Sequence, residues 1–176
     1  MMPRQTFQKE LQKLKDDTVE LGSLVENALI EAVDLLKRRD MKQSGRLIRA
    51  DREVINARRF EIEEQALVLI ATQQPIAGDL RTIAAIFEII TELERIGDYA
   101  KGIARINIMI GDEPLLKPLI DLPVMAEKAR DMLHRSLKAF IQRDVEAAQA
   151  IPKEDDEVDN LYDQVYRELL TYIMAD

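Results

Sequence analysis

The sequence predicts an all-α fold of long amphipathic helices arranged as two tandem three-helix units, the second lacking its third helix. Three observations carry this. Charged residues make up 33% of the 176-residue chain and apolar residues 47%, with no Trp, a balance dominated by helix formers. Apolar residues recur at alternating four- and three-residue spacing over long stretches. A helix-turn-helix element with an acidic second arm also occurs twice, displaced by 104 residues.

The first helix is predicted from Arg4 to Arg39, a length of about 50 Å at 1.5 Å per residue. Its seam of Phe7, Leu11, Leu14, Thr18, Leu21, Val25, Ala28, Ala32 and Leu35 packs against more than one neighbour. Asp40 is an N-cap for a second helix from Met41 to Ala71, with Ile48, Ile55, Ile62, Ala66 and Leu69 on its inner face. Gln73-Gln74-Pro75 breaks the pattern, and Pro75 suits a first helical turn. The third helix, from Ile76 to Ile110, is apolar around much of its circumference and belongs at the centre of a bundle.

Gly111-Asp112-Glu113-Pro114, followed by Pro118 and Pro123, reads as a linker. This divides the chain into a three-helix unit over 1–112, a linker over 113–123 and a two-helix hairpin over 124–176. The hairpin helices are predicted at Val124–Gln142 and Val145–Met174, with Pro152 kinking or delaying the second.

The repeat supports this division. A shift of 104 places Arg39-Asp40 on Arg143-Asp144, Asp51-x-Glu53-Val54-x-Asn56 on Asp155-x-Glu157-Val158-x-Asn160, Glu64 on Glu168 and Leu69 on Ile173. Thr72 falls on Asp176, so the counterpart of the third helix is expected to be missing.

Composition excludes several functions. A net charge of −8 argues against nucleic acid as main partner and against adsorption to anionic lipid. No apolar run reaches the length of a membrane span, and the N-terminus has no apolar signal core, so the expected location is cytoplasmic. The absence of cysteine removes disulfides, thiolate metal sites and thiol nucleophiles.

The most informative pair is Glu94 and Asp98. At i,i+4 both carboxylates stand on one helix face. Leu80, Ile83, Phe87 and Ile90 lead into the same stripe, so the pair is expected to be half-buried. Paired half-buried carboxylates are costly unless something positive lies between them, and a metal cation is one candidate. The alternative is an ordinary charged stripe in which Asp98 meets Lys101. Carboxylate ligands suit hard ions such as Mg, Mn, Ca or iron. Two are too few for a closed site, and Glu20 and Glu61 are among the acids that could help complete it.

The stretches LIATQQPIAGDLR (Leu69–Arg81) and LERIGDYAKGIA (Leu93–Ala104), with the linker GDEPLLKPLIDLP, resemble the PhoU family. The resemblance implies paired three-helix bundles. It also implies a metal site at the E(D)-x-x-x-D motif, often multinuclear iron, which Glu94 and Asp98 match. The implied role is regulatory rather than enzymatic: restraint of the phosphate-starvation response by coupling a phosphate ABC transporter to a membrane histidine kinase. The motif's second copy is absent here, so the hairpin is expected to lack its intramolecular partner and the chain to form a homodimer.

Two other readings compete. A helical adaptor without metal fits every feature except the acid pair. A carboxylate-bridged di-iron enzyme needs Glu-x-x-His on two helices, whereas the chain offers only Asp131-x-x-His134.

Overall fold

The computed structural model describes residues 3–175; Asp176, on which the repeat shift places Thr72, lies outside them. The described residues form helices without a strand. These are α1 (Pro3–Arg38), α2 (Met41–Ala50), a π-helical turn (Asp51–Ile55), α3 (Asn56–Gln73), α4 (Ala77–Ile110), α5 (Asp121–Gln142), α6 (Val145–Ala150), a 3-10 turn (Ile151–Glu154) and α7 (Asp155–Ala175).

The heptad seam of α1 is buried from Phe7 to Leu35 without a gap. One side packs on α4, α3 and α2, the other on α5. Ile62, Ala66 and Leu69 of α3 close the first bundle, together with Ile83, Ile86, Ile90, Leu93, Ala100 and Ala104 of α4.

The predicted second helix is interrupted. A π turn carries an extra residue per turn, so Leu47 rather than Ile48 enters the core, ahead of Ile55 and Ile62. Asp40 caps α2 as expected, its Oδ1 accepting from Gln43 N at 2.9 Å. Gln74 ends α3 in the left-handed region. Pro75 lies ahead of α4, which starts at Ala77 rather than around the proline.

The ends of three helices meet at one corner of this bundle. Asn107, fully buried, donates through Nδ2 to the Leu35 carbonyl at 3.0 Å and to Ser44 Oγ at 2.9 Å. Arg39, left-handed at φ 61°, donates to the Gly111 carbonyl. The Arg39 bond satisfies a carbonyl at the end of α4, and the Asn107 bond is the second at the Leu35 carbonyl, which also accepts from Asp40 N at 3.0 Å.

The hairpin joins the bundle through one close crossing. A Cβ on Gly22 of α1 would collide with Leu137 Cδ1 of α5, so any side chain at position 22 obliges Leu137 to move. Gly22→Leu cannot be accommodated by rotating Leu137 alone. It is expected to lower stability by about 1–3 kcal/mol through overpacking, read as a lower denaturant midpoint. An unchanged midpoint would show that α5 does not bear on α1 there.

Beyond α5, Pro152 occupies the 3-10 turn, where the chain leaves α6 before α7 begins. This splits the single helix expected from Val145 onward. Acids of the second arm pair with bases of α5: Arg135 Nη1 with Glu154 at 2.8 Å, and Lys128 with Glu157. The Arg135 hydrogen bond holds the Glu154 carboxyl below its usual range. Helix α7 packs only on α5 and the 3-10 turn among the described elements.

Candidate metal centre

The close approach of the π turn to α4 builds the site. Gly97 on α4 is buried, and a Cβ there would come within 3.1 Å of Asp51 Oδ1 and 3.3 Å of Ile55 Cγ2. The missing side chain lets Asp51, the first residue of the π turn, pack down until it is 3% exposed.

A carboxylate so buried needs a cation or several donors. Lys101, one helical turn beyond Gly97, supplies the cation: its Nζ lies 2.8 Å from Asp51 Oδ2 and also bonds Asp98. Burial works against the lysine's charge, but its bonds and charge contacts to Asp51 and Asp98 outweigh that penalty. Its pKa is raised above the usual 10.5. Asp51 Oδ1, by contrast, is buried and has no hydrogen-bond partner among the described residues.

Glu94 is served from another helix. Its side chain is 29% exposed, and Oε2 lies 3.3 Å from Arg59 Nε of α3. That contact is electrostatic, since Arg59 Nε makes no aligned hydrogen bond. Arg59 also holds Glu63 at 2.8 Å.

The acid pair meets the sequence expectation in half: Glu94 is half-buried as expected, whereas Asp98 is exposed. The buried stripe of α4 runs through Ile83, Ile86, Ile90, Leu93, Gly97, Ala100 and Ala104. Glu94 and Asp98 flank it, each one residue on from a buried position. Asp98 is 53% exposed and Leu80 43% exposed. Each carboxylate has a basic partner, Arg59 for Glu94 and Lys101 for Asp98.

Asp51 is the site residue that sequence reasoning missed. It figured only as the first acid of the repeated element. Its burial depends on the π turn and on Gly97, neither of which periodicity reveals.

The other candidates lie elsewhere. Glu20 and Glu61 are both held by Arg58, at 2.6 and 3.0 Å. Asp131 pairs with Arg135 at 2.7 Å, and His134 is 66% exposed, 3.4 Å from Glu26 Oε1. Helix α5 does not pack on α4, so the Asp-x-x-His element does not join Glu94 and Asp98.

The donor set fits a hard cation in part. Two carboxylates, Asp51 and Asp98, already face one positive charge, and an orphaned carboxylate oxygen is buried beside them. No group of three His, Cys, Asp or Glu side chains able to hold a metal is present among the described residues. Asp51 and Asp98 are thus an incomplete oxygen set for an ion such as Mg, Mn, Ca or iron. The Lys101 ammonium stands where such an ion would compete.

Comparison with known proteins agrees with this architecture. The PhoU domain family model matches residues 18–106 and 122–176. A phosphate-specific transport system accessory protein PhoU homolog from Aquifex aeolicus is 37% identical over 168 residues, covering 96% of this chain and 76% of the relative. The phosphate-specific transport system accessory protein PhoU of Escherichia coli is 34% identical over 170 residues, covering 97% and 70%. The crystal structure of PhoU from Pseudomonas aeruginosa superposes with a TM-score of 0.88 at 30% identity, covering 97% of this chain and 81% of that one. The phosphate transport system regulatory protein PhoU from Streptococcus pneumoniae gives a TM-score of 0.87 at 27% identity, covering 97% and 80%. By sequence and by fold, the chain belongs to the PhoU family.

Proposed function

We propose that this protein is a regulatory accessory component of phosphate uptake. It restrains the phosphate-starvation response by linking a phosphate ABC transporter to a membrane histidine kinase at the cytoplasmic face. One observation carries the reading: relatives named as accessory proteins of the phosphate-specific transport system match over nearly the whole chain. The architecture suits the role, since long helices offer broad faces for protein docking. No described helix is long and apolar enough to cross a membrane. Retention of the chain by the transporter's nucleotide-binding subunit and by the kinase's cytosolic portion tests the proposal. Failure of both to retain it overturns the reading. So does tight, stoichiometric binding of inorganic phosphate by the metal-free chain, which would make it a direct phosphate sensor.

A metal centre at Glu94 and Asp98 belongs to the same proposal, with Asp51 as the buried third carboxylate. Iron is the ion the family resemblance favours, and Mg, Mn or Ca suit the same oxygen donors. A bound cation would supply positive charge that cross-links the π turn to α4. Glu94 would join it only by leaving Arg59, and Lys101 would have to yield its place between Asp51 and Asp98. Replacing Glu94 and Asp98 together with Ala is expected to abolish metal uptake while leaving helicity intact. Metal analysis of the purified protein reads this out, and equal metal content in both proteins rejects the centre. A metal held only by the folded chain also raises its melting temperature, and chelator reverses the gain.

A further inference from the structure

Helices α4 and α5 both pack on α1 but not on each other. Between them lies an open cleft of about 490 Å³, lined by Lys15 of α1, Arg81 and Ala85 of α4, Phe140 of α5, and Arg143 and Asp144 of the turn that follows α5. That volume lies within the range of small-molecule sites, about 300–1,000 Å³.

The charge of the lining runs against that of the chain, in which acids outnumber Lys and Arg by 33 to 25. Lys15 is half-buried, and Arg81 and Arg143 are exposed at the mouth of the cleft. Lys15, Arg81 and Arg143 line one cleft, and none of them is in an ion pair or side-chain hydrogen bond among the described residues. The lining holds one carboxylate, Asp144, which keeps its charge while Oδ1 accepts from Ala147 N at 3.0 Å as the cap of α6, leaving three cations to one anion.

The internal repeat sharpens the point. Arg143 corresponds to Arg39, and both are left-handed, at φ 56° and 61°. Arg39 gives its guanidinium to the Gly111 carbonyl. Arg143, which is exposed, has no such acceptor among the described residues. The rest of the wall is mixed: Ala85, Ala139, Phe140 and Ala148 give it an apolar strip, beside the polar side chains of Thr82, Ser136 and Gln149. Clustered unpaired cations repel one another and favour a polyanion. The adjoining apolar wall favours a ligand that also carries a hydrophobic body.

We propose that this cleft binds an organic phosphate of nucleotide size, its phosphates on Lys15, Arg81 and Arg143 and its apolar body against Phe140 and Ala85. The inference is independent of the metal centre and of the partners proposed above.

Calorimetry on the full chain in EDTA tests it, so that no metal-bound nucleotide contributes. ATP is expected to give saturable, one-to-one binding. Tripolyphosphate, which has the charge without the body, is expected to bind at least tenfold more weakly. Arg81→Gln and Arg143→Gln should each weaken ATP at least tenfold. Ala85→Trp, which fills the apolar wall, should weaken ATP while sparing tripolyphosphate. Absence of saturable ATP binding overturns the proposal, as does wild-type affinity in the arginine double variant. Tripolyphosphate binding as tight as ATP also overturns it, by showing that the apolar wall is unused. Should an arginine variant fail to fold, the unsubstituted chain decides: ATP binding must fall as salt rises, and binding indifferent to salt rejects the site.

Discussion

Replacing Lys101 with Met is expected to destabilise the protein by about 3–5 kcal/mol, the range for stripping the partner from a buried charge. Met preserves the length and apolar stem of the side chain, so the loss is electrostatic rather than steric. Asp51 bears it. At 3% exposure it keeps neither lysine nor solvent, and its Oδ1 already lacks a partner. Asp98, more than half exposed, rehydrates and contributes only about 0–1 kcal/mol. The double variant Asp51→Asn/Lys101→Met removes both charges and should recover much of the loss. Denaturant melts in chelator measure all three proteins. A loss under about 1 kcal/mol for Lys101→Met would mean that Asp51 is solvated in solution and that the charge balance described here is wrong.

The same substitution bears on the metal. With the ammonium gone, Asp51 and Asp98 face each other without a cation, and a divalent ion becomes the obvious replacement. Lys101→Met is therefore expected to regain stability on addition of Mn or Mg, in contrast to Glu94→Ala/Asp98→Ala.

The parts of this fold that were legible in the sequence are those governed by a strict period. The α1 seam was readable residue by residue, because a heptad pattern places each residue on one face regardless of what packs against it. The Asp40 cap was readable because capping is a local bond over three residues. The π turn was not, because its extra residue is absorbed within a helix that continues on both sides. Hence a regular helical period puts Ile48 on the inner face, where the structure puts Leu47, and the repeat alone gives no sign that Asp51 belongs to the site. The acid pair was half legible. The i,i+4 spacing put Glu94 and Asp98 on one face, but spacing along one helix cannot show that Arg59 arrives from α3. Nor can it show that the buried stripe passes through Leu93 and Gly97 instead. The contact between Asp98 and Lys101 was readable as an i,i+3 pair. The reach of Lys101 to Asp51, fifty positions away, was not.

The second large effect concerns the hairpin. The internal repeat sets Ile62, Ala66 and Leu69 of α3 on Tyr166, Leu170 and Ile173 of α7. The first three are 0%, 0% and 4% exposed, sealed by α4. Their counterparts are 56%, 39% and 67% exposed, and Tyr162, one turn earlier, is 60% exposed. Spacings of four, four and three place all four residues on one face of α7. Such a strip amounts to several hundred square ångströms by rough estimate, more than a soluble monomer ordinarily leaves open. Two hairpins can cover each other's strips about a two-fold axis, giving a four-helix arrangement in which each strip buries its twin. The chain is therefore expected to be a dimer at micromolar concentration by light scattering. Tyr166→Lys/Ile173→Lys should shift it to monomer without loss of the first bundle, since α7 does not touch α1–α4. A wild-type chain that stays monomeric and free of aggregates would refute the pairing, because the strip would then be tolerated in water without a second copy to cover it.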